Sequence, residues 1–212
     1  MESYILETPV SSLIFVFTII TSIYAFYNQE IFGRFMLHPY SISRGGRIYT
    51  LITSGMIHRD WTHLLFNMFT FYFFGFQLER ILAAISAWGH VQYALIYFLS
   101  LILSDVGTIA KHKNNFNYYS LGASGAICAV LFSFILFQPG TSIYLFFIPI
   151  PIPAVVFGPL FLLYCVWAAR SARDSINHDA HFYGAVVGVL ATILLYPQVI
   201  GHFFSAVGQL FG

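Results

Sequence analysis

Long apolar stretches alternate with polar connections along most of the chain. Six stretches approach the roughly 20 residues that a helix needs to cross a bilayer. The connection before the fifth stretch is Pro-rich and reads IPIPIP. The pattern predicts an all-α polytopic membrane protein, a single domain with six transmembrane helices and no internal repeat. The predicted spans are residues 10–27, 63–78, 87–103, 121–137, 154–169 and 181–196, followed by a short amphipathic tail at 197–212 that we expect along the membrane interface.

Composition supports a lipid environment. The 212 residues are 58% hydrophobic and only 8% charged, whereas an ordinary soluble domain carries roughly 25% charged residues. The net charge of +1 and the absence of a basic stripe give no indication of nucleic-acid binding. Cys128 and Cys165 lie inside apolar runs without metal-ligand spacing, so we interpret both as core residues. No metal or organic cofactor is implied.

The second, fourth and sixth spans all begin on the same side of the membrane, and each begins with unusual polar residues. The second span carries His63 and Asn67, and the fourth carries Ser124. The sixth begins with His178 and His181. These side chains are therefore expected at a similar depth on one side of the bundle.

A serine hydroxyl becomes a nucleophile when a base, usually histidine, takes its proton. Ser124 and His181 supply that pair if the fourth and sixth helices touch. Small residues spaced four apart allow such contact in lipid, and a helix N-terminus favours developing negative charge. The small residues expected at this contact are Gly122, Gly125, Gly184 and Gly188.

Acyl transfer also needs hydrogen-bond donors for the oxyanion. His63 and Asn67 are four residues apart, so both project from one face of the second helix. An imidazole N–H and an amide NH₂ can each stabilise a tetrahedral intermediate.

Each of these residues also has a structural interpretation. A serine in a membrane helix often serves packing or bonds to its own helix carbonyl. His63 and Asn67 are equally suited to bridging two helices, and His181 fits a proton relay. The joint occurrence of all four favours catalysis.

Two further residues near His181 affect which groups we expect to act in proton transfer. Asp179 is two positions from His181, about 200° around a helix, which predicts a Ser-His dyad rather than a triad. His178, one turn closer to water, is the alternative base. His58 and Trp61, in the first loop, are expected to anchor that loop at the interface.

Three segments together resemble the signature segments of rhomboid intramembrane serine proteases. They are HLLFN at 63–67, GASG at 122–125 and AHFYGAVVG at 180–188. The approach LITSGMIHRDWTHLLFN is similar as well, and the order of the segments on helices two, four and six matches. The resemblance extends from about Arg44 to Gly188.

The resemblance implies a rhomboid-like six-helix bundle that cleaves single-pass transmembrane proteins in the lipid bilayer. Ser124 is then the nucleophile and His181 the general base. His63, Asn67 and the Ser124 backbone N–H form the oxyanion hole. The fourth helix is short, so that water reaches the serine, and the fifth, loosened by Pro159, is a lateral gate.

The chain departs from the family in the first loop, where rhomboids commonly carry a Trp-Arg pair. Tyr49 and Thr50 stand at those positions, and the nearest basic residue is Arg47. Loop anchoring is therefore expected to differ.

The orientation of the protein in the membrane is a second point on which the sequence and the family pattern disagree. The connections after helices one, three and five hold eight of the nine basic residues, so the positive-inside rule turns the site toward the cytoplasm. Bacterial relatives instead open it to the extracytoplasmic side of the cell (inner) membrane, and we follow the family.

Two rival functions remain. Some rhomboid-like proteins are inactive membrane chaperones or adaptors, but these typically lack the serine or the histidine. A transporter or proton channel would use the histidines as a relay, but inverted repeats and paired acidic residues within the spans are absent.

Overall fold

The computed structural model describes residues 6–145, 148–171 and 174–212. These residues are mostly helical, with a short 3₁₀ turn at Ser54–Met56 and two β-strands. The helices are α1 (Pro9–Tyr27), α2 (Gln29–Phe35), α3 (Pro39–Ile42), α4 (Thr50–Thr53), α5 (Trp61–Ile85), α6 (Gly89–Leu103), α7 (Val106–His112), α8 (Ser124–Phe137), α9 (Ala154–Ser171), α10 (His178–Leu195) and α11 (Val199–Phe211).

Five helical stretches of the described residues are long and apolar enough to cross a membrane: Pro9–Tyr27, Trp61–Ile85, Gly89–His112, Ala154–Ser171 and His178–Leu195. The third of these joins α6 and α7. The prediction of a helical polytopic membrane protein is confirmed.

The helix in the fourth predicted span is shorter than residues 121–137, in line with the short fourth helix that the resemblance implies. Helix α8 has 14 residues, about 21 Å at 1.5 Å per residue, whereas the hydrocarbon core is about 30 Å thick. It begins at Ser124 and not at Leu121, because Gly122 has a φ of +116°, outside the right-handed helical region. The turn at Gly122 therefore shortens the helix at the end that carries Ser124.

Helix α8 lies at the centre of the bundle, with 12 of its 14 residues buried. Its closest neighbour is α10, which runs parallel to it. Gly184 packs on the Gly125 carbonyl and Gly188 on that of Ala129, so that a Cβ at either glycine would overlap with backbone. Further along, the Ser133 hydroxyl donates to the Gly188 carbonyl at 3.2 Å. Without side chains between them, the two backbones lie in direct contact.

The other helices enclose this pair. Helices α5 and α6 pack on α8 through an apolar cluster that includes the fully buried rings of Phe71 and Tyr93. Helix α11 caps the far end, where His202 Nε2–H donates to the Phe137 carbonyl at 2.7 Å. The candidate polar residues lie at the opposite end of α8, around its first residue.

The Pro-rich connection, expected to be a link, forms a β-hairpin instead. Strand β1 (Ser142–Leu145) pairs antiparallel with β2 (Ile148–Pro153), and Ile143 lies opposite Ile152. The prolines of β2 alternate with isoleucines, so every second N–H remains available to the ladder. The hairpin joins the end of α8 to the beginning of α9.

Candidate active site

Ser124 is the first residue of α8 and is partly exposed. The turn before it depends on Gly122, whose positive φ favours glycine. The Gly122 N–H donates to the Ser54 carbonyl at 2.9 Å, which ties this turn to the first loop. Ser124 therefore lies at the N-terminus of a short and mostly buried helix.

Helix α5 places His63 and Asn67 against this turn. A Cβ built on Gly122 would lie 2.6 Å from His63 Cε1 and 3.7 Å from Asn67 Nδ2. Asn67 is 8% exposed, and its Nδ2 has no hydrogen-bond partner among the described residues. Buried amide groups are normally paired, so this one is an available donor beside the Gly122 turn.

The start of α5 is fixed by Asp60, which sequence reasoning had not singled out. Its carboxylate accepts from the His63 N–H at 2.8 Å and from Arg59 Nε at 2.7 Å. These bonds, that from Arg59 first, hold the pKa of Asp60 below its usual range. The Asp-x-x-His spacing is an N-cap signal that the sequence does contain.

Helix α10 brings His181 to the same level as Ser124. The carbonyl of its neighbour Ala180 would lie 3.3 Å from a Cβ on Gly125, the residue after the serine. In the described part of the chain, no hydrogen bond joins the Ser124 and His181 side chains. The His181 ring stacks instead on Phe161 of α9, with ring centres 6.2 Å apart.

The two other polar residues at the start of α10 have different partners. Asp179 Oδ2 accepts from Lys111 Nζ at 2.8 Å, so its carboxylate is engaged by α7. His178 is 4% exposed, and its Nε2 lies 3.2 Å from both carboxylate oxygens of Asp174.

Asn177 is a positioning residue that sequence reasoning missed. Its Oδ1 caps α10 by accepting from the Ala180 N–H at 3.0 Å, and it also accepts from the Thr108 hydroxyl at 3.0 Å. Its Nδ2 donates to Ser120 Oγ at 3.1 Å. One side chain thus joins the segments that carry Ser124 and His181. An Asn just before an apolar helix was the available signal.

A small cavity of about 10 Å³ opens beside Ser124. That volume is close to the minimum that holds one water molecule. Its lining is rich in hydroxyl and carboxyl groups, which gives a water several partners. The polar residues around it are Ser54, Ser104, Asp105, Ser120, Ser124 and Asn177.

The contacts that hold the first loop differ from those expected from the sequence. His58, expected at the interface, is fully buried. Its Nδ1 is hydrogen-bonded to Ser22 Oγ at 2.9 Å, and its ring lies 5.0 Å from that of His63. Burial lowers the pKa of His58 to about 3, so it is neutral. Trp61 is 57% exposed and packs on Phe26.

The missing Trp-Arg pair has a counterpart in Arg47. Its Nη2 donates to three backbone carbonyls, those of Gly33, Arg34 and Met36, at 2.7–3.1 Å. Arg47 itself has a φ of +52°. One guanidinium therefore joins the first loop to the backbone at the end of α2. This contact anchors the loop in a chain that has no Trp-Arg pair there.

Cys165 is a core residue, as predicted, and it also has two histidines as neighbours. It is buried on α9, and it lies with His178 and His181 in a group whose potential ligand atoms are all within 4.8 Å of one another. The residues come from two helices, so no local spacing could reveal the group.

Fold and site define a helical polytopic membrane protein with a serine, two histidines and an asparagine at one end of its central helix. The sequence profile of the family described as Rhomboid domain matches residues 45–198. This match covers more than half of the chain, and the chain therefore belongs to the rhomboid family.

Similar proteins carry rhomboid names. RHOMBOID-like protein 12, mitochondrial, of Arabidopsis thaliana is 30% identical over 78% of this chain and 52% of its own length. Rhomboid protein 1, mitochondrial, of Saccharomyces cerevisiae is 32% identical over 66% of this chain and 40% of its own. Rhomboid-like protein 16, chloroplastic, of Arabidopsis thaliana is 31% identical over 55% and 39%. The chain spans about half the length of the first of these relatives.

Proposed function

We propose that this protein is an intramembrane serine endopeptidase that cleaves single-pass transmembrane proteins through a Ser124–His181 dyad. The observation that carries the proposal is a convergence. The segment from Gly122 to Gly125, which contains Ser124, contacts the helix that bears His181 and lies close to the Asn67 amide nitrogen. That nitrogen has no hydrogen-bond partner among the described residues.

In the proposed reaction, His181 takes the proton of Ser124 Oγ as that oxygen attacks the scissile carbonyl. The resulting oxyanion is stabilised by His63, Asn67 and the Ser124 N–H. The intermediate then releases the amine product, which receives the proton from His181. Water hydrolyses the acyl-enzyme with His181 again as base. The Ser124–His181 hydrogen bond forms when substrate is present, because such bonds are often long in free enzymes.

Local contacts support each role. The Asn67 donor is already desolvated, so an oxyanion gains a hydrogen bond without competition from another protein acceptor. The cavity beside Ser124 can hold the water for deacylation. The pairing of Asp179 with Lys111 supports a dyad over a triad, and the engagement of His178 by Asp174 favours His181 as base.

We also propose that the site opens to the extracytoplasmic side of a cell membrane. The first-loop arginines that oppose this orientation have structural partners: Arg47 on carbonyls and Arg59 on Asp60. They are therefore weak topology signals. Labelling of Asn114→Cys in intact cells with a membrane-impermeant maleimide tests this, and protection of that residue until cells are opened would overturn it.

The activity test is cleavage of a fluorogenic transmembrane reporter by protein purified in detergent, with chelator present. Ser124→Ala and His181→Ala are each expected to lower the rate at least about 1,000-fold. Ser133→Ala is the matched control, because it removes another hydroxyl of α8 that bonds within the helix pair. It should retain most activity.

Cleavage that survives Ser124→Ala would contradict the proposal. Wild-type protein that is folded but inactive toward several reporters and toward a fluorophosphonate would favour the alternative, a catalytically inactive rhomboid-like chaperone or adaptor.

A further inference from the structure

The group formed by Cys165, His178 and His181 is not explained by the dyad. Cys165 lies on α9, and the two histidines lie three residues apart at the start of α10. One potential ligand atom from each residue lies within 4.8 Å of the other two. We call this group the thiol-imidazole cluster.

His178 is oriented as a metal ligand usually is. Its Nε2–H donates to the Asp174 carboxylate at 3.2 Å, which leaves Nδ1 as the nitrogen that can ligate a metal. That Nδ1 is buried and has no hydrogen-bond partner among the described residues. Metal-binding histidines typically donate their second N–H to a carboxylate in this way.

The carboxylate is also fixed within its own segment, because Asp174 Oδ1 accepts from the Ile176 N–H at 2.9 Å. Its side chain is 40% exposed, so the cluster lies one residue away from water.

We propose that the thiol-imidazole cluster binds Zn²⁺, and that the bound ion inhibits the enzyme by engaging His181 and tying α9 to α10. One thiolate and two imidazoles are the donor set that zinc favours, with a fourth position left to water. Ligands of tetrahedral zinc lie about 3.4–3.8 Å apart, so small side-chain rotations complete the site. Binding releases the Cys165 thiol proton to solvent.

The inhibition follows from two effects. An imidazole nitrogen that ligates zinc has no lone pair for the Ser124 proton, and a metal bridge opposes displacement of α9 from α10. The inhibitory part rests on the proposed function, but the binding part does not.

Two measurements test the proposal on the purified full chain. The first is the absorption spectrum on titration with Co²⁺, in which a thiolate-to-cobalt charge-transfer band reports ligation by cysteine, with competition by Zn²⁺. The second is the zinc concentration that halves reporter cleavage, expressed relative to each variant's own zinc-free rate and reversed by chelator.

Cys165→Ala is expected to abolish the charge-transfer band and to raise the half-inhibitory zinc concentration at least about 10-fold. Asp174→Asn should raise it about 10-fold, as expected for loss of a carboxylate that orients a ligand. Cys128→Ala, which removes the other buried thiol, is the control and should keep both the band and the inhibition.

A charge-transfer band that is absent in the wild type, or that persists in Cys165→Ala and disappears in Cys128→Ala, would overturn the proposal. So would zinc inhibition of equal strength in wild type and Cys165→Ala. If the wild type cleaves no reporter but shows the Cys165-dependent band, the proposed function fails while the metal site stands.

Discussion

Helices α8 and α9 follow each other in the chain, yet they relate to the bundle in opposite ways. In α8, 12 of 14 residues are buried, whereas in α9 only 4 of 18 are. Helix α8 meets α10 through glycine and backbone. Helix α9 meets the core through a few small buried residues and through partly buried rings such as Phe157 and Phe161.

The difference separates two requirements of the proposed reaction. Chemistry needs groups held at fixed distances, which the backbone contact of α8 and α10 provides. Entry of a transmembrane substrate needs an element that can move at small cost, and α9 has the smallest buried share, 22%, of the five described stretches that are long enough to cross a membrane. The first loop belongs to the fixed part, because Arg47 ties it through partly buried hydrogen bonds and His58 through a buried one.

The largest effect is expected from breaking the fixed contact. Gly184→Ala places a methyl group against the Gly125 carbonyl, and overpacking of this kind costs about 1–3 kcal/mol. Reporter cleavage should fall more than about 10-fold, because the start of α10 shifts relative to Ser124. Gly201→Ala on α11 is the control: nothing lies within 4 Å of its added Cβ, so melting temperature and activity should be unchanged or slightly raised. Equal effects would contradict the close packing.

A gain of activity is expected from loosening α9. Phe157→Ala removes a ring that stacks on Phe161, with centres 5.6 Å apart. Cleavage of a transmembrane reporter should rise about 2- to 5-fold, in line with the roughly 1 kcal/mol of an aromatic pair, while fluorophosphonate labelling stays constant. Leu163→Ala, at a side chain 66% exposed, should change neither rate. A loss of cleavage in Phe157→Ala with normal folding would place entry elsewhere.

Arg47 tests whether the first loop is fixed. Arg47→Gln loses hydrogen bonds from a charged group to three carbonyls, and should lower stability by about 2 kcal/mol without increasing reporter cleavage. Arg34→Gln, which removes an exposed pair with Glu30, is the control and should change the melting temperature little. Faster cleavage by Arg47→Gln would show that the loop, and not only α9, limits entry.

The smallest effect is a pH dependence of folding stability that is caused by His58 in the first loop. Burial, and then the charge of His63, lowers its pKa from 6.5 to about 3. Between these values the unfolded chain binds the proton and the folded chain does not, so stability falls as pH decreases below 6.5. From about pH 6.5 to 5.5 the loss is about 1 kcal/mol. The melting temperature of His58→Gln should depend less on pH, and parallel curves for the two proteins would contradict the assignment.

The sequence predicts the apolar helices well because their signal is local. That the helix starts bearing His63, Ser124 and His181 lie at one end of the bundle could also be predicted, since alternate spans begin on the same side of the membrane. The start of α8 at Ser124 could not be predicted, because it depends on the backbone conformation of Gly122. Nor could spacing reveal contacts that cross helices, such as the three carbonyls on Arg47 or Cys165 beside His178.

The most direct test of the dyad is the site of covalent labelling in one sample that is also assayed for cleavage. Wild-type protein treated with a fluorophosphonate should carry one adduct, mapped by mass spectrometry to Ser124, and should lose cleavage in proportion to labelling. His181→Ala, folded as judged by its melting temperature, should label at least about 100-fold more slowly. An adduct on another residue, or equal labelling of His181→Ala, would contradict the account.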